Sequence, residues 1–526
     1  MKGRLKQRPG FKNRIVANIR NYFGYVSQPR WIRMNRRDET EGIILLGDPG
    51  TGKSQTIHHF LLQIATRHPS ESAVIYDPAC EFVKRHYNLD RGDIILNPLD
   101  QRSPYWSPSH EVRSVTDKRL ITESFLPGKT EFSQGSTSGF FLKAARAILG
   151  RLFEFKPAPQ ELVDWLGNAD AIDTIVADTE HAHLIPRNAH GQRAGVLGVL
   201  SDLGDTLRLL PAKDLCKTEI SLTEWAGQRK GWIFITSTVD TRDALRPLQA
   251  VFINLLMKRL MAVSPEWGQA HPCWLIVDEV HALHRLPALY EAETEGRKYG
   301  LKLIQGTQGK AQYEEYYQTL AKTMLAAPRL KLFYRCGEPE SARWISDTIG
   351  EVEVEKPKIG TTASVEDKGR DSLNYATVTE QKAVVSKEEI MSLADLQGYW
   401  KYGDVVVPFR LPLAHVNLVT KGYIPRSGSI EIIEPHSTVR PTALEKRDTS
   451  MLSPSHHRFA QQRREPQTKK KSPRPQQPKF EHSMAESPKR ETVVVTQPEP
   501  KQATCESSSE IGTVDTQLQE IQTDFS

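Results

Sequence analysis

Two short stretches of this sequence combine residue types that could bind and cleave a nucleoside triphosphate. Residues 47–54 read GDPGTGKS and fit the pattern G-x-x-x-x-G-K-[ST], whose backbone N–H groups wrap phosphates. Lys53 would neutralise the β- and γ-phosphates, and the Ser54 hydroxyl would help to hold Mg²⁺. We therefore predict that ATP and Mg²⁺ bind here. The predicted nucleotide-binding residues are Gly47, Asp48, Pro49, Gly50, Thr51, Gly52, Lys53, Ser54 and Gln55.

The second stretch, residues 274–279, reads WLIVDE and could supply the acidic half of the same site. Asp278, at the end of an apolar run, would organise Mg²⁺ through its water shell, and Glu279 would be the general base toward the attacking water. Adjacent acids at a strand end are also common as a solvated turn. The phosphate-loop pattern elsewhere in the chain makes the catalytic interpretation the favoured one.

Two further polar residues follow the acidic pair. Arg297 lies nineteen positions after Asp278, at a predicted helix-to-strand corner, and could stabilise charge on the γ-phosphate of a neighbouring subunit. The alternative for Arg297 is a solvated surface charge. Gln308 follows a predicted strand and could sense the γ-phosphate or couple hydrolysis to movement, the alternative being a loop hydrogen bond. We predict Glu279, Arg297 and Gln308 as catalytic residues, and Ser54 and Asp278 as metal ligands.

Composition narrows the class of protein. With 38% hydrophobic and 25% charged residues among 526, the chain is typical of a soluble protein with two or three domains. No apolar run is long enough to cross a bilayer or resembles a signal peptide, so we expect a cytoplasmic location. The five scattered cysteines indicate neither a zinc cage nor a disulfide framework. His281 and His284 lack a metal-binding order and are interpreted as ordinary helix histidines.

The order of predicted elements is typical of an α/β fold. An apolar strand, the phosphate loop and a helix over residues 55–66 open a pattern of alternating strands and helices, which favours a mostly parallel sheet covered on both faces. Further strands are predicted near 73–76, 93–96, 231–235, 274–277, 301–305, 330–334 and 405–407, with an apolar helix at 248–261. We assign residues 38–107 and 226–433 to the nucleotide-binding domain and 108–225 to an all-helical insertion.

The two ends of the chain differ from this core. Residues 1–37 contain eleven Lys or Arg and no Asp or Glu, so the rest of the chain carries a net charge of about −5. A cationic amphipathic helix is predicted there, which could lie on an anionic lipid surface, contact a nucleic-acid backbone, or pack on the core. Residues 434–526 are rich in Ser, Pro, Gln and charge, which predicts a disordered tail.

Several motifs together resemble one known family, the type IV coupling proteins of conjugation and type IV secretion. Besides the two nucleotide motifs, the resemblance rests on the segments 76–82 (YDPACEF), 91–99 (RGDIILNPL), 296–298 (GRK) and 306–308 (GTQ). It covers about residues 36–413. Within it, Ala79 and Cys80 stand where a family member typically has Lys and Gly.

The resemblance implies a RecA-like P-loop NTPase domain with an inserted all-α domain, assembled as a homohexamer around DNA. It implies an ATP-driven DNA-translocating motor in which Lys53 and Ser54 bind the nucleotide. Asp278 would then hold Mg²⁺ and Glu279 would activate the attacking water. Arg297 would act on the site of a neighbouring subunit, and Gln308 would couple hydrolysis to movement. Binding to DNA would be largely sequence-independent. The tail, with its basic run at residues 469–474, could dock a relaxase or a secretion-channel component, or could be a partner-free extension.

Family members usually begin with transmembrane helices, whereas this sequence begins with the basic segment. Peripheral attachment at the inner face of the bacterial cell membrane, recruitment by a membrane protein, and action on DNA in the cytoplasm are the alternatives. Two other functions remain open: a ring ATPase acting on double-stranded DNA or on protein outside secretion, and a non-catalytic adaptor. The complete set of site residues argues against the adaptor.

Overall fold

A computed structural model describes residues 34–128, 137–283, 285–362 and 372–427 of the chain. Within these ranges no helix combines the length and the apolar character that crossing a membrane requires. The predicted amphipathic helix in residues 1–37, apart from the last four residues, lies outside the described residues. So do His284 and the predicted disordered tail, 434–526.

Within the described part of the chain, nine strands build one central sheet and two more form a separate hairpin. The strands are β1 (Ile43–Leu46), β2 (Ser72–Asp77), β3 (Ile94–Leu96), β4 (Trp232–Thr236), β5 (Cys273–Val277), β6 (Leu301–Thr307), β7 (Leu330–Phe333), β8 (Glu351–Thr362), β9 (Ser372–Ala383), β10 (Gln397–Tyr402) and β11 (Val405–Arg410). Their order in the sheet is β11-β10-β7-β1-β6-β5-β2-β4-β3. All neighbours pair in parallel except β10, which is antiparallel to both β7 and β11. The predicted α/β class is confirmed.

The central strands are apolar along their whole length because both faces of the sheet are covered. Every residue of β1, β4 and β5 is buried. Alternate residues point to opposite faces, so Ile44 and Leu275 join one hydrophobic cluster while Ile43 and Ile276 join another. Continuous apolar runs of this kind are what a doubly covered parallel sheet requires.

Helices connect the strands and flank the sheet. They are α1 (Lys53–Ala65), α2 (Val83–His86), α3 (Val115–Phe125), α4 (Thr137–Phe153), α5 (Pro159–Leu166), α6 (Ala169–Val176), α7 (His190–Leu207), α8 (Leu222–Gln228), α9 (Arg242–Leu260), α10 (Pro265–Ala270), α11 (Leu289–Glu295), α12 (Lys310–Tyr317), α13 (Ala321–Ala326), α14 (Pro339–Ile349) and α15 (Lys387–Met391). Helices α3 to α8 all fall between β3 and β4. The exact division of the chain into domains stays a prediction.

The helical segment between β3 and β4 has apolar faces that pack together. Ile148 and Leu152 of α4 and Leu200 and Leu203 of α7 lie in one cluster of buried residues. The same cluster includes Leu248 of α9, and it continues to the sheet through strand residues. The helices therefore share a core with the central sheet.

Helix α9 begins six residues before the predicted start at Leu248. Its first turns contain Arg242, Asp243 and Arg246, and Pro247 follows within the helix. Apolar periodicity does not indicate a helix where the residues are polar or include a proline, so the start of α9 was predicted too late. The helix nevertheless forms because its later turns are buried against the sheet and the helical segment.

A buried ionic network joins the amino-terminal ends of β5 and β6 to the segments before β1 and β2. The Lys302 ammonium donates to Glu39 (2.8 Å) and Glu71 (2.9 Å), whose side chains are at most 4% exposed. Arg67 donates to the same two carboxylates at 2.6 and 3.1 Å, and the Trp274 indole donates to Glu71 at 2.6 Å. Each buried carboxylate is thus paired with two cations, the condition under which burial of charge is tolerated.

Removing the central cation of this network should destabilise the fold. We expect Lys302→Ala to lower the free energy of unfolding by about 3–5 kcal/mol, because Glu39 and Glu71 lose a buried partner. Thermal unfolding followed by circular dichroism measures the change. The control Lys310→Ala removes a helix-surface pair with Glu314 and should cost at most about 0.5 kcal/mol. Equal unfolding temperatures for the two variants would contradict the role of the network.

Candidate active site

The register of three parallel strands brings the two sequence motifs together. Leu46 of β1 pairs with Thr307 of β6, and Val277 of β5 pairs with Gln305 of β6. The phosphate-loop pattern, the acidic pair and Gln308 each begin directly after one of these strands. All three therefore emerge at the carboxyl edge of the sheet, where open α/β sheets bind ligands.

The phosphate-loop residues adopt the backbone geometry that their glycines permit. Gly50 and Gly52 have φ values of +77° and +121°, in the region that favours glycine. Helix α1 begins at Lys53 rather than at the predicted residue 55. Its first N–H groups and positive dipole end thus lie at the loop, an arrangement that suits an anion.

Lys53 and Ser54 connect the loop to the acidic pair. The Lys53 ammonium donates to the carbonyl oxygens of Gly47 (2.5 Å) and Asp48 (3.0 Å). Burial lowers the pKa of Lys53, and the nearby carboxylates oppose that shift. The Ser54 hydroxyl donates to Asp278 Oδ2 at 3.1 Å across 224 positions of sequence. The predicted loop and the predicted acidic residue are therefore in direct contact.

Asp278 has the environment of a metal-binding carboxylate. Burial raises its pKa to about 6. Its Oδ1 atom is buried and has no hydrogen-bond partner among the described residues. With the Ser54 hydroxyl it offers oxygen ligands of the kind Mg²⁺ prefers. The described part of the chain contains no cluster of three or more His, Cys, Asp or Glu that could hold a metal ion. Mg²⁺ at Asp278 and Ser54 would therefore take its remaining ligands from water and phosphate.

Glu279 is held by two neighbours. The Gln308 side-chain amide donates to Glu279 Oε1 at 2.6 Å, and His281 Nε2 lies 3.3 Å from the same oxygen. The backbone N–H of Gln308 donates to Gln312 Oε1 at 3.1 Å, which holds the loop after β6. His281, in the short 3₁₀ helix Val280–Leu283, thus contacts the predicted base.

One cavity of about 570 Å³ collects these groups. Its lining residues are Pro49, Gly50, Gly52, Lys53, Ser54, Gln55, Glu81, Asp278, Glu279, Thr307, Gln308, Asp395, Leu396 and Leu413. Six of the nine predicted nucleotide-binding residues are among them. The Gln55 amide oxygen also accepts the Ala414 N–H at 3.0 Å. The volume and the polar lining are suitable for a nucleotide.

The other three predicted nucleotide-binding residues do not line the cavity and instead contact the segments on which the loop packs. Asp48 Oδ2 accepts the Gly337 N–H at 2.8 Å, and the Thr51 carbonyl accepts the Leu396 N–H at 2.9 Å. Gly47 packs so closely against Tyr334 that a Cβ atom there would overlap it. The loop conformation therefore depends on segments that follow β7 and precede β10.

Arg297 lies apart from the cavity, at the opposite edge of the sheet. It precedes β6, whereas Gln308 follows β6, and a strand of seven residues spans about 20 Å. The Arg297 guanidinium is half exposed and donates to Glu41 at 3.2 Å. Glu41 also accepts from Arg329 at 3.0 Å and from the Tyr402 hydroxyl at 3.0 Å. The structure therefore does not bring Arg297 to the predicted site of its own chain.

Five residues that line the cavity were not predicted as site residues: Glu81, Thr307, Asp395, Leu396 and Leu413. Asp395 and Leu396 come from the turn before β10, and Asp395 pairs with Arg335 at 2.8 Å. No local pattern marks that turn. Glu81, by contrast, lies in the segment 76–82 on which the family resemblance rests. The sequence therefore marked this segment, although it assigned no role to Glu81.

Comparison with known proteins finds a family model and relatives that match most of the described chain. The family model described as "Type IV secretion-system coupling protein DNA-binding domain" matches residues 30–418. The chain belongs to this family. The curated coupling protein TraD of Escherichia coli K12 is 27% identical over 409 residues, which cover 74% of this chain and 55% of TraD. The chain thus matches about half the length of that relative.

Solved structures of the conjugative coupling protein TrwB have a similar fold. The unbound TrwBΔN70 structure aligns with a TM-score of 0.64 and 25% identity, covering 74% of this chain and 89% of that one. The complex of TrwB with ADP and Mg²⁺ aligns with a TM-score of 0.63 and 25% identity, covering 75% and 90%. These similarities confirm the RecA-like fold predicted for this coupling-protein family member.

A methyl group at Gly306 should damage the site although no predicted site residue is replaced. A Cβ atom there would overlap the backbone carbonyl of Asp278, so Gly306→Ala must displace the acidic pair. We expect nucleotide turnover to fall about 100-fold, the order of loss that a displacement of about 1 Å produces. The control Gly198→Ala, in α7, meets nothing within 4 Å and should leave turnover unchanged. Normal turnover by Gly306→Ala would show that β5 and β6 can separate freely.

Proposed function

We propose that this chain is an ATP-driven motor that moves DNA in conjugation or type IV secretion, working as a homohexameric ring. The observation that carries the proposal is the cavity in which Lys53, Ser54, Asp278, Glu279 and Gln308 meet. TrwB, a similar protein, is described in complex with ADP and Mg²⁺ and with a non-hydrolysable GTP analogue. The family model is described as DNA-binding. Together they support nucleotide hydrolysis coupled to DNA.

Within one chain, the residues divide the chemistry of γ-phosphate cleavage. Lys53 would leave its loop carbonyls to contact the β- and γ-phosphates, as its position at the start of α1 allows. Mg²⁺, held through Ser54 and Asp278, would neutralise charge on the same phosphates. Glu279 would take the proton of the attacking water. Gln308, hydrogen-bonded to Glu279, would link the state of that base to the loop after β6.

The position of Arg297 supports a shared site. A cation about 20 Å from its own cavity cannot stabilise the transition state there. In a ring, the amino edge of one subunit can face the carboxyl edge of the next, which would give Arg297 access to the neighbour's γ-phosphate. Glu41, bonded to Arg297 and Arg329, would hold the guanidinium at the interface. We therefore propose that Arg297 acts in trans.

The remaining partners are predicted from sequence. DNA contacts would be directed at the backbone and weakened by salt. A relaxase or a secretion-channel component would bind through the tail, and an anionic membrane surface through residues 1–37. The tail and residues 1–33 lie outside the described residues.

Turnover by purified protein, with and without single- and double-stranded DNA, tests the motor directly. We expect DNA to stimulate ATP hydrolysis, and Glu279→Gln to lower the maximal rate about 10²–10⁴-fold because the general base is lost. The matched control Glu266→Gln, on α10 away from the cavity, should be unaffected. Failure of every DNA to raise turnover would favour a protein substrate. A Lys53→Ala chain that kept full biological activity would favour the adaptor.

Mixing two inactive variants tests the shared site. Lys53→Ala lacks its phosphate contact but keeps Arg297, whereas Arg297→Ala has the opposite defect. Arg297→Ala alone should lose about 10³-fold in turnover, as removal of such an arginine usually costs. In mixed rings some interfaces combine an intact loop with an intact arginine, so activity should exceed the sum of the two variants. Simple additivity at all mixing ratios would eliminate the trans mechanism.

A further inference from the structure

Glu81 lines the proposed nucleotide cavity but has no role in the proposed cleavage of the γ-phosphate. It follows β2, whose residue Tyr76 pairs with Val277 of β5, so the carboxyl end of β2 lies beside Asp278. The Glu81 side chain is 40% exposed and lines the same cavity as Asp278 and Glu279. A third carboxylate therefore faces the space that a triphosphate and its metal would occupy.

The backbone before Glu81 is built to hold this position. The buried Asp77 carboxylate accepts the N–H groups of Glu81 (2.7 Å) and Val83 (2.8 Å). Cys80 has φ +53°, a conformation that favours glycine and costs other residues about 1 kcal/mol or more. The Cys80 thiol donates to the Ser237 carbonyl at 3.1 Å. The turn thus keeps a conformation suited to the glycine typical of the family, although a cysteine occupies it.

Two buried imidazoles hold the Glu81 side chain. His58 Nε2 lies 3.2 Å from Glu81 Oε1, and His58 Nδ1 lies 2.8 Å from His86 Nε2. Both rings are buried, with 1% and 8% of each residue exposed. A carboxylate only accepts hydrogen bonds, so His58 is the donor to Glu81. His58 is one helical turn after Ser54 on α1, which places the imidazole and the predicted metal ligand on one face of that helix.

We propose that Glu81 is a third acidic residue of the nucleotide site, which holds the water shell of Mg²⁺ beside Asp278, and that His58 and His86 position its carboxylate. This inference rests on the proposed function. Glu279 is the less suitable residue for this task because Gln308 and His281 already bind it. Glu81 is held instead by His58, and its carboxylate lines the cavity on the β2 side.

The electrostatics of the site agree with this placement. The hydrogen bond from His58 is the main cause that lowers the pKa of Glu81, so the residue is a carboxylate at neutral pH. After burial, which is the largest cause, the charge of Glu81 also contributes to the raised pKa of Asp278. Two neighbouring carboxylates, one of which raises the pKa of the other, are a favourable environment for a hydrated divalent cation.

The test measures binding of a fluorescent, non-hydrolysable ATP analogue with and without Mg²⁺, beside ATP turnover. We expect Glu81→Gln to weaken Mg²⁺ binding to the nucleotide complex about tenfold, the usual cost of losing an outer-shell partner. Binding of the metal-free analogue should be unchanged or tighter, because a negative charge near the phosphates is removed. Asp278→Asn provides a reference for loss of the carboxylate that is predicted to hold Mg²⁺.

Variants of the imidazole separate positioning from folding. His58→Leu should weaken Mg²⁺ binding in the same direction as Glu81→Gln, whereas His58→Gln keeps a side-chain N–H donor and should restore most of it. Cys80→Gly should leave Mg²⁺ binding unchanged, because glycine adopts the same turn without strain. A purely structural role for His58 would lower the unfolding temperature without changing Mg²⁺ affinity.

The outcomes distinguish the two levels of the proposal. Wild-type protein that binds no nucleotide with Mg²⁺ would overturn the proposed function and this inference together. Wild-type protein that binds and hydrolyses ATP, with Glu81→Gln identical to it in Mg²⁺ affinity, would overturn the inference alone. Loss of Mg²⁺ affinity in Glu81→Gln and His58→Leu, with recovery in His58→Gln, is the result that supports it.

Discussion

The parallel pairing of β1, β6 and β5 is the constraint on which the rest of the structure depends. It brings residues separated by more than two hundred positions to one edge of the sheet, where Ser54 can donate to Asp278. The small side chain of Gly306 permits the close approach of β6 to the Asp278 backbone. β2 extends the same edge and adds Glu81 to it. Each part of the cavity thus depends on strand register more than on any local motif.

The two edges of the sheet carry different kinds of interaction. The carboxyl edge holds the cavity, with polar groups that could exchange their present partners for phosphate. The amino edge is closed by the buried ionic network around Lys302 and by the Glu41 cluster that holds Arg297. Strand β6 connects these edges, since Arg297 precedes it and Gln308 follows it. In the proposed ring, β6 would link Arg297, which would face a neighbouring subunit, with Gln308 in the cavity of its own chain.

Much of the fold was predictable because its signals are local. Continuous apolar runs identified the buried strands, and the pattern of glycines and Lys53 identified the loop. The start of α9 was predicted too late because its first turns are polar and contain Pro247. The lining residues Asp395 and Leu396 could not be predicted, since they reach the cavity only through the antiparallel strand β10.

The sequence by itself determined the chemistry of this protein: a phosphate loop, an acidic pair and a set of motifs typical of coupling proteins. Residue types and short spacings carry that information because each motif works within one strand end or one helix start. Only the tertiary structure decided which of these groups meet. It separated Arg297 from the cavity and brought Glu81, His58 and His86 into a chain of hydrogen bonds beside it. Distances across a sheet depend on strand order and register, and neither is written in local sequence.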